Sequence, residues 1–211
     1  IFGGSGNSLY TAVNDLADPF SLHRLTFNST AMPPSTIAGG ALQFDEFGGN
    51  DPEIVQLGSG RMIIASDLIA TGALTLTGTG SGMVTINGAI SGNGGLNFTD
   101  GLWRLTNPAS TYRGGTVIGP EAYVELISAA PGSQGVSVAG ATASFLGNTS
   151  NHGTNGLVIN GGQLKLTTVG GGELAIGSAR PVAFGANGGV LVLTNSNEAD
   201  PLAPGGNIAE T

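Results

Sequence analysis

The feature that most limits what this chain can fold into is a short apolar–x–apolar motif that keeps returning. Leu74/Leu76, Val84/Ile86, Leu96/Phe98, Val124/Leu126, Val136/Val138, Leu157/Ile159, Leu164/Leu166, Leu174/Ile176 and Leu191/Leu193 all carry it. The middle residue is usually small or polar, as at Thr75, Thr85, Asn97 and Lys165. Alternation with period two sends successive side chains to opposite faces, so each triplet reads as a short strand with one buried face. The triplets fall about every ten residues, separated by Gly, Asn, Ser, Thr or Pro. That spacing predicts many short strands with tight turns, in a sandwich, a barrel or a solenoid.

The first third of the chain follows the plan less strictly. Residues 22–27, 41–44, 54–57 and 62–65 read as strands, broken by Pro33-Pro34 and by an acidic loop over 45–53. Residues 10–20 hold at most one helical turn, because Pro19 stops anything longer. The solenoid is preferred over its alternative, a β-sandwich. The triplets are short, and Gly recurs at nearly every corner, where it tolerates the positive φ some bends need. Each coil would leave an apolar face open until the next coil stacks on it. With roughly 20–25 residues per rung and about 4.8 Å per stacked strand, the expectation is an all-β solenoid of about eight to ten rungs, about 40–50 Å long. Residues 1–198 read as one such domain, and the Pro/Gly-rich 199–211 as a tail or linking segment.

Composition removes several function classes. The 38 Gly follow no strict three-residue period, which excludes collagen, and 40% hydrophobic residues in regular runs argue against disorder. Six Lys and Arg, none clustered, face fourteen Asp and Glu for a net charge of −8. Nucleic acid and anionic membrane surfaces are therefore not expected partners. With no Cys there is neither a disulfide nor a thiolate metal site. No run approaches the roughly 20 apolar residues of a spanning helix, so no membrane insertion by such a helix is expected. The abrupt start at Ile1-Phe2-Gly3-Gly4 reads as a mature or excised piece of a longer protein.

The search for chemistry finds little. His23 and His152 are the only histidines, and neither accompanies a nucleophile motif. Asp45, Glu46, Asp51 and Glu53, with Asn50, offer the oxygen ligands Ca²⁺ prefers, yet their spacing matches neither an EF-hand nor the Gly-Gly-x-Gly-x-Asp calcium repeat, and a solvated turn is the expectation. The other acids, including Asp67, Asp100, Glu121 and Glu125, are dispersed, and no pair shares a strand at alternating positions as a glycosidase site would want. Trp103, Tyr112 and Tyr123 cluster and are the candidate surface contacts for sugars, set against the plainer reading of corner packing. Three Asn-x-Ser/Thr matches, at Asn28, Asn97 and Asn148, are of the kind a Thr-rich, Asn-rich chain produces by chance. No catalytic residue, cofactor or metal is expected.

One region carries a family resemblance. Ile90-Ser91-Gly92-Asn93-Gly94-Gly95-Leu96, then Leu102-Trp103-Arg104-Leu105, then Ser110-Thr111-Tyr112-Arg113-Gly114-Gly115-Thr116-Val117-Ile118 resembles the autotransporter-associated β-strand repeat, also called the passenger-associated transport repeat. Tyr112, Gly114, Gly115 and Thr116 stand where that repeat has them. Trp103-Arg104 within the first strand, and Pro120-Glu121-Ala122-Tyr123 before Val124, depart from it. The best motif spans 90–127. The resemblance implies a right-handed parallel β-helix, exported and extracellular or on the cell surface, of the kind that acts as a stalk or assists passenger folding and transport. With no catalytic constellation among the residues, a non-enzymatic structural or adhesive element is the expectation. Open strands at the ends of a solenoid invite pairing, so end-to-end self-association into a filament is the expected partnership. Surface glycans come second, and a carbohydrate-binding or carbohydrate-cleaving β-helix is the alternative.

Overall fold

A computed structural model describes residues 2–4, 10–30, 34–107, 109–127, 136–139, 142–146, 157–160, 163–168, 182–184, 186, 188 and 190–195. His152, the Leu174/Ile176 triplet, the Asn148 sequon and the 199–211 segment lie outside these residues. The described chain is all-β and mostly parallel, a β-solenoid whose strands stack on three sides. There is no helix at 10–20, where two strands stand instead.

The first side is built from β1 (Phe2–Gly4), β4 (Arg24–Ser29), β7 (Glu53–Gln56), β10 (Leu74–Thr77), the first parts of β13 (Leu96–Leu105) and β14 (Thr116–Ile127), then β15 (Val136–Ala139), β17 (Leu157–Asn160) and β19 (Val182–Phe184). The second side holds β2 (Tyr10–Asn14), β5 (Ser35–Gly39), β8 (Met62–Ile64), β11 (Val84–Ile86), the second parts of β13 and β14, then β16 (Thr142–Leu146), β18 (Gln163–Thr168) and β20 (Val190–Asn195). The third side is a separate sheet of β3 (Phe20–Leu22), β6 (Leu42–Phe44), β9 (Leu68–Ala70) and β12 (Ile90–Ser91). It is continued by Thr111 and Tyr112, whose N–H groups donate to the Ile90 carbonyl at 2.7 and 3.2 Å. The three-sided coil thus runs for about five turns, fewer than the eight to ten rungs expected from the sequence. Past Ile127 the described strands belong to the first two sides only.

The triplets do what alternation predicts. Leu74 and Leu76 lie beside Leu96 and Phe98, and Val84 and Ile86 beside Trp103 and Leu105. All eight are buried, while Thr75 and Thr85 between them face outward and are half-exposed. Like residues therefore stack along the axis, and each buried Leu, Ile or Phe contributes about 1.5–3 kcal/mol by leaving water. Phe98 and Trp103 meet edge to face, centroids 6.0 Å apart. Backbone groups that no strand pairs are tied from one turn to the next. Asp67 Oδ1 accepts from the Ala89 N–H at 2.7 Å, and Asp18 Oδ1 from the Ala41 N–H at 2.9 Å.

Candidate functional site

Two places on the described surface break the regular coil. One is the loop between β6 and β7. Phe47 and Asn50 form an antiparallel bridge, their N–H groups and carbonyls exchanging bonds of 3.2 and 3.1 Å. Gly48 and Gly49 between them sit at φ 62° and 77°, the pair of positive values a two-residue hairpin turn requires. The hairpin carries Phe47 outward, 74% exposed. Its ring leans on His23, 6.0 Å away at 54°, and the His23 Nδ1–H donates to the Asp45 carbonyl at 3.1 Å.

Two of the four carboxylates of this loop, Asp45 and Glu53, are engaged within the protein, while Glu46 and Asp51 are exposed. Gln43 Nε2 lies 3.0 Å from both Asp45 oxygens, and Thr71 Oγ1 donates to one of them at 3.0 Å. These bonds, Gln43 first, hold the Asp45 carboxyl below its ordinary range against a partial desolvation that pushes the other way, with Thr71 and Ser21 assisting. Glu53 pairs with Arg24 Nε at 3.1 Å. Among the described residues no three His, Cys, Asp or Glu side chains converge as metal ligands.

The second place is the mouth of the first coil. A cavity of about 300 Å³ opens there, lined by Val13, Leu16, Phe20, Leu22, Leu25 and Ile37, with Asn14 and Arg24 among the polar groups at its wall. Asn14 is a corner tie, its Nδ2 donating to the Ala17 carbonyl at 2.9 Å and the Gly40 carbonyl at 3.2 Å.

The aromatic candidates fall elsewhere. Trp103 and Tyr112 are wholly buried in the core, so neither offers a ring face to a ligand. Trp103 Nε1 donates to the Asp100 carbonyl at 2.7 Å, and Tyr112 Oη shares a 2.6 Å hydrogen bond with Thr116 Oγ1. Burial pushes the Tyr112 phenol well above its usual range. Tyr123 is half-buried on β14, beside Leu102. Among the described residues the exposed aromatic of the side wall is Phe47, which sequence reasoning passed over as part of an acidic loop. The Phe-Gly-Gly-Asn turn was the signal that it stands at a hairpin.

Stacking also pairs residues far apart in sequence. Asp100 lies level with Glu121, and Arg104 level with Glu125, on adjacent turns of β13 and β14. The carboxylate pair was invisible as a pair because its spacing is one coil and not one strand. Asp100 Oδ1 accepts from the Gly101 N–H at 2.6 Å, and Glu121 is exposed. No family model, no curated protein and no solved structure matches this chain.

Proposed function

We propose that this chain is a non-enzymatic structural or adhesive β-helix that works outside the cell, as a stalk segment or as a subunit that stacks end to end. The observation that carries the reading is the second side of the coil. Its partner residues follow one another without a break from Tyr10 on β2 to Leu191 on β20. A chain committed along most of its length to one self-stacking ladder is built to span distance. Among the described residues its loops are mostly tight corners, and Asp45 and Glu53 of the acidic loop are held by Gln43, Thr71 and Arg24. On this reading the rod has about nine coils at about 4.8 Å each, so about 40 Å of length. Its crossovers are right-handed, as parallel connections nearly always are. The likeness of residues 90–127 to the autotransporter-associated repeat supports an exported, surface-displayed role.

Antibody labelling of intact source cells tests this: labelling that disappears on brief external proteolysis is the expected result, and a purely internal pool overturns it. Release of reducing ends from a glycan panel would overturn the non-enzymatic part.

A second reading, contact with surface glycans, has Phe47 in its favour, since an exposed ring on a hairpin is a surface on which a sugar can stack. Glycan-array binding that is lost in Phe47→Ala would favour it.

A further inference from the structure

We propose that the mouth of the first coil is a docking surface for the last described coil of a second copy of this chain, joined head to tail in parallel register. The proposal rests on the rod reading above and specifies one interface of that rod.

At both ends of the described coil, strand edges have no described partner. Among the described residues β2 pairs only with β5 and β3 only with β6, while at the far end β19 pairs only with β17 and β20 only with β18. Each such edge holds a row of N–H and C=O groups ready for another strand. Apolar exposure gathers at the same two places. Leu16 is 79% exposed, Val13 61% and Tyr10 58%, with Phe20 beside them, and Phe184 and Val190 are more than half exposed at the other end. Along the wall between, the large apolar side chains with comparable exposure among the described residues are Phe47, Leu57 and Val117.

The register fits. Followed turn by turn, the column of Tyr10 passes through Ser35, Met62, Val84, Trp103, Val124, Ala143 and Leu164 to Leu191. A second copy advanced along the axis by one rod length sets its Leu191 beside Tyr10, and hence its Thr194 level with Val13. The new pair is parallel, like every described strand pair of the coil. A twofold dimer of two first coils would instead pair β2 antiparallel to itself and set two concave apolar mouths face to face around a void, which forfeits packing. A head-to-tail contact uses two different surfaces and does not close on itself, so copies add in line.

The absence of Cys gives a clean test on the full chain. Adjacent parallel strands hold level residues within disulfide reach. The chain carrying Val13→Cys with Thr194→Cys should give, under mild oxidation, a ladder of dimers, trimers and longer species on a non-reducing gel. Val13→Cys alone should not cross-link. In the unsubstituted chain the sedimentation coefficient should rise with concentration. Leu16→Glu, at an exposed position, should keep the circular dichroism spectrum and weaken association at least tenfold. A chain that stays monomeric across concentration overturns the proposal, as does a predominant Val13→Cys dimer or a folded Leu16→Glu variant that assembles like the parent. Any of these results leaves the rod reading standing, because that reading fails only on an internal location or on catalysis.

Discussion

The corner between the first and second sides is built in two different ways in successive turns. From Leu76 to Val84 the chain takes a wide, Gly-rich path through Gly78, Gly80 and Gly82, stacked on Gly58 and Gly60 of the turn before. The turns lie so close that a Cβ on Gly78 would run into the backbone of Gln56, and the residue sits at φ 140°, where side chains are strained. The carbonyls inside this corner are met by one buried amide: Gln56 Nε2 donates to Gly60 at 2.9 Å and to Gly82 at 3.0 Å. One turn later the chain passes from Phe98 to Trp103 without leaving the sheet, absorbing the bend as an irregularity between Phe98 and Asp100. There the indole fills the corner and its N–H meets the Asp100 carbonyl. A corner in a coil must dispose of backbone groups and of volume. The first solution uses close backbone contact and a polar plug, the second a large side chain that serves both needs.

The comparison can be broken most sharply at Trp103. Trp103→Ala should cost about 3–5 kcal/mol, the range for a large buried aromatic, read from urea unfolding followed by circular dichroism. A loss under about 1 kcal/mol would mean the indole is filler and not the corner's support. In the wide corner Gly78→Ala should cost about 3 kcal/mol, from positive φ and backbone collision together. Gly72→Ala, where an added Cβ meets nothing within 4 Å, is the matched control and should stay within about 0.5 kcal/mol. Equal effects of the two would dismiss close stacking as the reason for glycine. Gln56→Ala should cost about 1–3 kcal/mol by stripping two buried carbonyls of their donor.

The third side sharpens the comparison with a smaller effect. Tyr112 is held neutral by burial, its phenol raised above the ordinary value of 10.0. A raised group contributes stability that is fully present below its unfolded value and lost as pH climbs past it. Stability should therefore fall above about pH 10, and Tyr112→Phe should flatten that alkaline limb at a cost near 1 kcal/mol in neutral solution. Smallest of all is Asp45, whose carboxyl lies below its ordinary 3.8. Its contribution is present above that value and fades as acid protonates it, so Asp45→Asn should remove only a shallow slope on the acid side of the stability profile.

Much of the coil was legible in the sequence because period two survives at the inward positions. Leu74/Leu76, Val84/Ile86 and Leu96/Phe98 named their strands and their buried faces. For Trp103 the sequence sets a surface contact against the plainer reading of corner packing, and packing is what the buried indole does: Trp103-Arg104-Leu105 is itself an apolar–x–apolar triplet, in line with Val84-Thr85-Ile86 of the turn before. Gln56 was unreadable for the opposite reason. In Ile54-Val55-Gln56-Leu57 the polar residue turns inward and is buried, while Leu57 is largely exposed, because the demand comes from carbonyls a coil away. Chemistry that depends on stacking, such as Asp100 level with Glu121, appears only once the length of each turn is known. Those lengths vary, with ties between turns reaching across 19 residues at Thr106 and 27 at Thr71.

Turn-by-turn attachment also has a mechanical side. The bonds that join neighbouring strands point along the rod, so tension on a chain end loads one turn at a time, in the manner of thread leaving a spool. Each turn released would pay out about 70 Å of extended chain from about 20 residues, against about 5 Å of rod height given up. A coil built this way lengthens in steps under load, and its Gly corners, with little side chain to interlock, are where unspooling should pause least.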